Sequence, residues 1–384
     1  MDLTEESEGF AVRSEALIAV SQRELDDLRR RIASTRWPHS WPTEPWAAGT
    51  DVEEMRRLAD YWADGYDWPA HEEKINALPS YTAEVEGQRI HFLRFDAESP
   101  EAPAVVLTNG WPSTFFEMVE LALQLSAPSA YGRAGLSFTV IVPSLPGFTF
   151  SDASITSPPS VPTHELWHQL MTGLGFERYF AHGGDLGNGI TSRLAAAHPE
   201  AVLGIHLMSV GMPGEWDEAS LTEAERAHLA RIEGWNRDEG AYMHQHRTRP
   251  LSLAFGLSDS PVGLLAWISE KYRAWSDRSS GQVMPFADDF LLTQASLYWF
   301  TNTIGTSLRP YYEALPPHAF VTVPTALALF PADLQQPPLA WAERTHNVQR
   351  YTKMAAGGHF APMEQPVILT ADIREFFTGL LNEE

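Results

Sequence analysis

His182-Gly183-Gly184-Asp185-Leu186-Gly187-Asn188-Gly189 is the stretch whose reading decides the fold. Ahead of it, Phe176-Glu177-Arg178-Tyr179-Phe180-Ala181 reads as a short buried strand. Behind it, residues 190–198 are rich in alanine and prone to helix. A strand, a glycine-flanked acid and a helix form a sharp elbow that lifts one side chain above a sheet. The glycines answer a steric need: the elbow residue is strained, and its neighbours must approach closely. An aspartate at the tip offers a carboxylate nucleophile. That group suits attack on an sp3 carbon and leaves an ester on the protein.

The bulk properties narrow the classes of function. The chain has 384 residues, 44% of them hydrophobic, enough for a large core and for two or three domains. Lys+Arg number 27 against 50 Asp+Glu, a net charge of −23. Phosphate binding needs a basic face, so no nucleic-acid partner is expected. Docking on an anionic membrane is disfavoured for the same reason. There are no cysteines. That removes disulfides, thiolate metal sites and a Cys nucleophile, and fits a cytoplasmic enzyme while leaving secretion open. No run approaches the 18 apolar residues of a membrane span. Asp2, Glu5, Glu6 and Glu8 give the first residues the wrong character for a signal peptide.

The organisation divides into an N-terminal extension over 1–80, a core over 81–212, a helical cap over 213–314 and the rest of the core over 315–384. In the extension, Ser21-Gln22-Arg23-Glu24 reads as a capping box, and Leu25, Leu28 and Ile32 form an apolar helical stripe. Trp37, Trp41, Trp46, Trp62 and Trp68 are read as packing an irregular meander onto a neighbouring domain. From Tyr81 the pattern becomes strands: a hairpin around Glu86-Gly87-Gln88, then buried runs over 104–107, 138–143 and 202–208. Helical segments are expected at 163–174, 221–238, 261–277, 290–303 and 368–381, and further strands at 319–330 and 349–354. Apolar strands alternating with helices predict an α/β fold: a mostly parallel central sheet with helices on both faces. With the elbow, this is the α/β-hydrolase arrangement.

In that arrangement the chain order is nucleophile, acid, histidine. A base must activate water against the ester, an acid must orient the base, and an oxyanion hole must hold the developing charge. The base candidate is His359, in Gly357-Gly358-His359-Phe360, after the last strand and before the closing helix. The acid candidate is Asp333, just beyond the strand ending at Phe330, with Glu343 as the alternative farther along. The hole is assigned to the backbone N–H groups of Leu186 and Trp111. Opening a strained cyclic ether also needs a donor to the departing oxygen, and a phenol in a dry pocket serves. Tyr242 and Tyr312 fall in or beside the cap, with packing as the alternative role. His182 either lines the pocket or packs in the core. No metal-ligand pattern stands out.

These segments together resemble an epoxide hydrolase of the microsomal type, within the α/β-hydrolase superfamily. The resemblance covers nearly the whole chain. Thr35-Arg36-Trp37-Pro38 and Tyr66-Asp67-Trp68 are similar to the family's N-terminal meander. Asn109-Gly110-Trp111-Pro112 resembles its His-Gly-Trp-Pro oxyanion motif, and Gly183-Gly184-Asp185-Leu186-Gly187 its nucleophile motif. Phe330-Pro331-Ala332-Asp333 and Gly357-Gly358-His359-Phe360 match the acid and base segments. Ala241-Tyr242-Met243-His244 and Arg309-Pro310-Tyr311-Tyr312 match the segments carrying two epoxide-polarising tyrosines. The resemblance implies Tyr242 and Tyr312 as donors, with Tyr311 as the fallback.

It also implies a cofactor-free enzyme without metal. An aspartyl ester would form on Asp185, and His359, oriented by Asp333, would release a vicinal diol. Asn109 replaces the usual His and Leu186 the usual Trp, which alters the wall beside the nucleophile. The missing membrane anchor points to a soluble, bacterial-style member. Trp235 and Asn236 are read as pocket residues ahead of Tyr242, with cap packing as the other role for Trp235. The tryptophans permit a bulky or aryl-substituted epoxide, in detoxification or secondary metabolism. The expected partners are that small molecule and water, and a homodimer is compatible with the sequence. The rivals are a haloalkane or haloacid dehalogenase, which uses the same Asp, His and acid, and a binding protein of this fold that has lost catalysis. The dehalogenase commonly needs an indole beside the nucleophile, and Leu186 supplies none.

Overall fold

The computed structural model describes residues 10–14, 17–157, 159–313 and 315–383. Among the described residues, nine strands form one sheet: β1 (Val12–Ser14), β2 (Ser80–Val85), β3 (Gln88–Phe95), β4 (Ala104–Thr108), β5 (Thr139–Pro143), β6 (Tyr179–Gly183), β7 (Val202–Leu207), β8 (Val321–Leu329) and β9 (His346–Lys353). Their order across the sheet is β1-β2-β3-β5-β4-β6-β7-β8-β9. The first three pairings are antiparallel, and those from β5 to β9 are parallel. Every residue of β4, β5 and β6 is buried. That explains their unbroken apolar character, because helices cover both faces of a parallel sheet.

Helix Leu186–Ala197 follows β6 and packs on β4, β6, β7 and β8. Glycine permits its close approach. A Cβ on Gly187 would lie 2.1 Å from the Thr108 carbonyl oxygen, and one on Gly183 would lie 2.2 Å from that of Gly187. Helix Thr163–Gly173 precedes β6, and helix Pro366–Glu383 closes the chain. Both agree with the sequence reading to within a few residues.

Between β7 and β8 the chain leaves the sheet and becomes helical, from Glu218–Ser220 to Arg309–Tyr312. Helix Pro250–Asp259 was not anticipated in this region; Pro250 opens it at the first turn, where a missing N–H costs nothing. β1 was not anticipated either, and three residues are too few to show a period.

The N-terminal segment is tied to these helices as well as to the sheet. The expected capping box at Ser21 is present on helix Gln22–Ala33. The Trp62 indole donates to Ser296 Oγ at 3.0 Å, and the hydroxyls of Tyr66 and Thr293 meet at 2.8 Å. Arg57 pairs with Asp288 at 2.6 Å, and Trp68 packs on Phe300 with ring centroids 4.9 Å apart. The tryptophans do not share one role, since Trp62 and Trp68 are buried while Trp41 is 71% exposed.

Trp62→Ala should therefore lower the stability of the folded chain by about 3–5 kcal/mol in urea unfolding. Trp41→Ala should stay within about 0.5 kcal/mol of the parent.

Candidate active site

The parallel strands β4, β6, β8 and β9 end on the same edge of the sheet, and each is followed by one part of the site. After β6 comes Asp185, with φ 53° and ψ −122°. A non-glycine residue rarely adopts such a conformation, which costs on the order of 1–3 kcal/mol. After β4 comes the segment Asn109-Gly110-Trp111, and the Trp111 N–H donates to Asp185 Oδ1 at 2.9 Å. Gly110 makes this approach possible, because a Cβ there would sit 2.1 Å from the same oxygen. Leu186 is the first residue of the helix that follows Asp185. The N–H groups at that end have no intrahelical partner.

His359 lies in the loop after β9. Its Nε2 is 3.3 Å from Asp185 Oδ2, and its Nδ1 is 2.7 Å from Asp333 Oδ1. Asp333 follows β8, and the Asp333 side chain is almost fully buried. Burial opposes a charge on the His359 ring, but the Asp333 and Asp185 carboxylates prevail and hold its pKa well above the ordinary histidine value. The alternative acid, Glu343, takes no part in this chain of contacts.

The loop that presents His359 is strapped from the helical insertion by contacts absent from the sequence reading. The His359 N–H donates to the Trp275 carbonyl at 2.8 Å. Asp277 Oδ2 accepts from the Gly357 N–H at 2.9 Å, and Glu364 accepts from the N–H groups of Asp277 and Phe360. Gly358 is required because a Cβ there would lie 2.7 Å from the Trp275 carbonyl oxygen. These partners are far apart in sequence, and nothing in the local pattern marks them.

An aromatic cluster packs around Trp111, the residue whose N–H holds Asp185. The Trp111 ring stacks on Tyr242 at 5.6 Å, and Tyr311 meets Tyr242 edge to face at 6.0 Å. His246 and Trp275 complete the cluster. Burial, and then the Asp185 charge, push both phenols above their ordinary pKa, so they remain protonated donors.

Tyr312 does not fit its expected place. It is 58% exposed, whereas Tyr311 is 8% exposed and packed in the cluster. Successive residues of the short helix Arg309–Tyr312 point about 100° apart, so only one of the pair can face inward. Asn236 is exposed and lines no described cavity. Trp235 packs edge-on against Tyr242 at 6.3 Å, the packing alternative. His182 is fully buried in β6 and joined to His206 Nδ1 at 3.0 Å, while His206 contacts Asp372 at 3.0 Å. It belongs to the core and not to the cavity.

That cavity has a volume of about 520 Å³ and reaches Asp185 and His359. Its walls include Leu145, Leu186, Ile190 and Met212, and among the described lining residues there is no phenyl, phenol or indole ring. No group of His, Asp and Glu side chains suited to a metal occurs among the described residues.

Residues 14–118 match the family described as "Epoxide hydrolase N terminus", and residues 103–231 match "alpha/beta hydrolase fold". Epoxide hydrolase 1 of Sus scrofa is 31% identical over 408 residues, covering 96% of this chain and 88% of that protein. The structure of the Aspergillus niger epoxide hydrolase is similar at 31% identity and a TM-score of 0.81, covering 95% of each chain. The juvenile hormone epoxide hydrolase of Bombyx mori is similar at 25% identity and a TM-score of 0.86, over 100% of this chain and 99% of that one.

Glu364→Ala leaves two backbone N–H groups without their acceptor and should cost about 1–3 kcal/mol. Hydrogen exchange should show the amides of Gly357–Phe360 losing protection more than those of β4 and β6.

Proposed function

The chain belongs to the epoxide hydrolase family, and on that premise we propose that it opens epoxides to vicinal diols through a covalent ester on Asp185. The contact of one imidazole with two carboxylates at 2.7 and 3.3 Å carries this reading. Asp185 Oδ1 accepts from the Trp111 N–H, so the attack is assigned to Oδ2, the oxygen that faces the His359 ring at 3.3 Å. Its lone pair forms a bond to an epoxide carbon. The C–O bond breaks, and the electron pair goes to the ring oxygen, which takes a proton from Tyr242 or Tyr311. Both phenols are well suited to donate, since burial keeps them protonated.

Esterification removes the charge on Asp185, one of the two that hold the His359 proton. The ring can then pass its proton to the phenolate, and the neutral imidazole acts as a base toward water. Water oxygen bonds to the ester carbon while His359 takes one of its protons. The charge on Oδ1 is held by the N–H groups of Trp111 and Leu186. On collapse the bond between the ester carbon and Oδ2 breaks, and the departing alkoxide takes the proton from His359. The proton left on the new carboxyl passes to His359, which restores the Asp185 carboxylate and the charged ring, and one water is consumed for each epoxide opened.

The cavity volume of about 520 Å³ fits a bulky substrate. Tyr242 and Tyr311 are not among its described lining residues but lie within the field of Asp185, so the epoxide oxygen has to project from the cavity past Asp185 toward these phenols. The dehalogenase reading is weaker: it calls for donors to a halide beside the nucleophile, where Leu186 offers an aliphatic side chain. The paired phenols favour an oxygen leaving group instead.

Asp185→Asn should abolish turnover of an epoxide such as styrene oxide. His359→Gln should still open the epoxide and then stall, so intact-protein mass spectrometry should find the ester on Asp185. Full turnover by the His359 variant would overturn the assignment. Tyr311→Phe should lower the rate of epoxide opening by on the order of 10²-fold or more. Tyr312→Phe should leave it near the parent value in the same assay.

A further inference from the structure

Asp185 and His359 also form part of the wall of a second, much smaller cavity. They are the only described residues common to it and to the large one. Its volume is about 10 Å³, and a site for one water needs roughly 10–15 Å³ by the same measure. A buried water also needs two to four polar partners. Besides Asp185 and His359, Asn109 and Glu117 reach this cavity. Asn109 is 2% exposed; its Nδ2 donates to the Gly110 carbonyl at 3.0 Å, and its Oδ1 has no hydrogen-bond partner. A buried acceptor without a partner is costly and calls for a ligand that supplies a donor. Glu117 is 5% exposed and lies within the fields of both His359 and Asp185. Burial raises its pKa to about 7, so its carboxyl can either donate or accept near neutrality.

We propose that Asn109 Oδ1 and the Glu117 carboxyl hold the hydrolytic water in this second cavity, so that it reaches the ester from a side the substrate does not occupy. The inference rests on the covalent reading above. Asn109 and Glu117 are positioning residues: they orient the water while His359 takes its proton.

The test separates the two half-reactions. Wild type, Asn109→Leu, Glu117→Leu and Glu117→Gln are each mixed in excess over an aliphatic epoxide, quenched at intervals and weighed intact. The rates of appearance and decay of the ester are read directly. For Asn109→Leu and Glu117→Leu, decay should fall on the order of 10- to 100-fold, as for one or two lost hydrogen bonds, while appearance changes less than about threefold. The ester should accumulate, and Glu117→Gln, which keeps an acceptor of the same size, should decay faster than Glu117→Leu. If appearance and decay fall together, or if neither changes, the proposal is overturned. Should Glu117→Leu fail to fold, Asn109→Leu and Glu117→Gln still decide it. Failure of wild type to form any ester would instead refute the covalent reading.

Discussion

The site depends on one strained residue. At φ 53° and ψ −122°, Asp185 ends a buried strand and starts a helix in a single step. The strain persists because the surroundings leave no alternative. Gly183 and Gly187 let helix and strand pack where any side chain would collide, and Gly110 leaves room for the carboxylate itself. Relaxing the turn would pull Asp185 away from the Trp111 N–H and from His359 together. The packing of the parallel sheet therefore holds the conformation in place. It also explains why the other parts of the site sit where they do, since the ends of β4, β8 and β9 lie on the same edge.

A second constraint is electrostatic. His359 is buried, which works against its charge, yet it lies between two carboxylates that favour the charge. A ring in that position responds strongly to the loss of either negative partner. In the mechanism proposed above, conversion of Asp185 to an ester is such a loss, and it comes just when a base is needed. Asp333 remains and keeps the ring oriented through Nδ1. The straps from Trp275, Asp277 and Glu364 link this loop to the end of helix Pro261–Ala274, and the Trp275 ring there packs on Tyr242 at 5.0 Å. Both halves of the site are thus held in one framework.

Much of this was legible in the sequence. The glycine-flanked Asp185 between an apolar strand and a helix announces the elbow, because steric need fixes the residue types. His359 and Asp333 follow from their order in the chain and their places after apolar strands. The second tyrosine was not decidable from pattern, since Tyr311 and Tyr312 are neighbours and only the helix phase selects between them. Asn236 was drawn in by its nearness to Tyr242 in sequence, although it ends on the outer face of its helix. His182 adjoins the elbow, but strand alternation and its contact with His206 bury it in the sheet. The straps on the His359 loop and the orphan oxygen of Asn109 arise from contacts between distant segments, which no local period encodes.

The claim that matters most is that the carboxylate of Asp185 attacks carbon itself. A single turnover with enzyme in excess, run in oxygen-18 water, tests it most directly. The account predicts an unlabelled diol and heavy oxygen in the side chain of Asp185 after peptide mapping. Heavy oxygen in the diol of that first turnover, with none in Asp185, would mean that water attacks the epoxide directly and would contradict it.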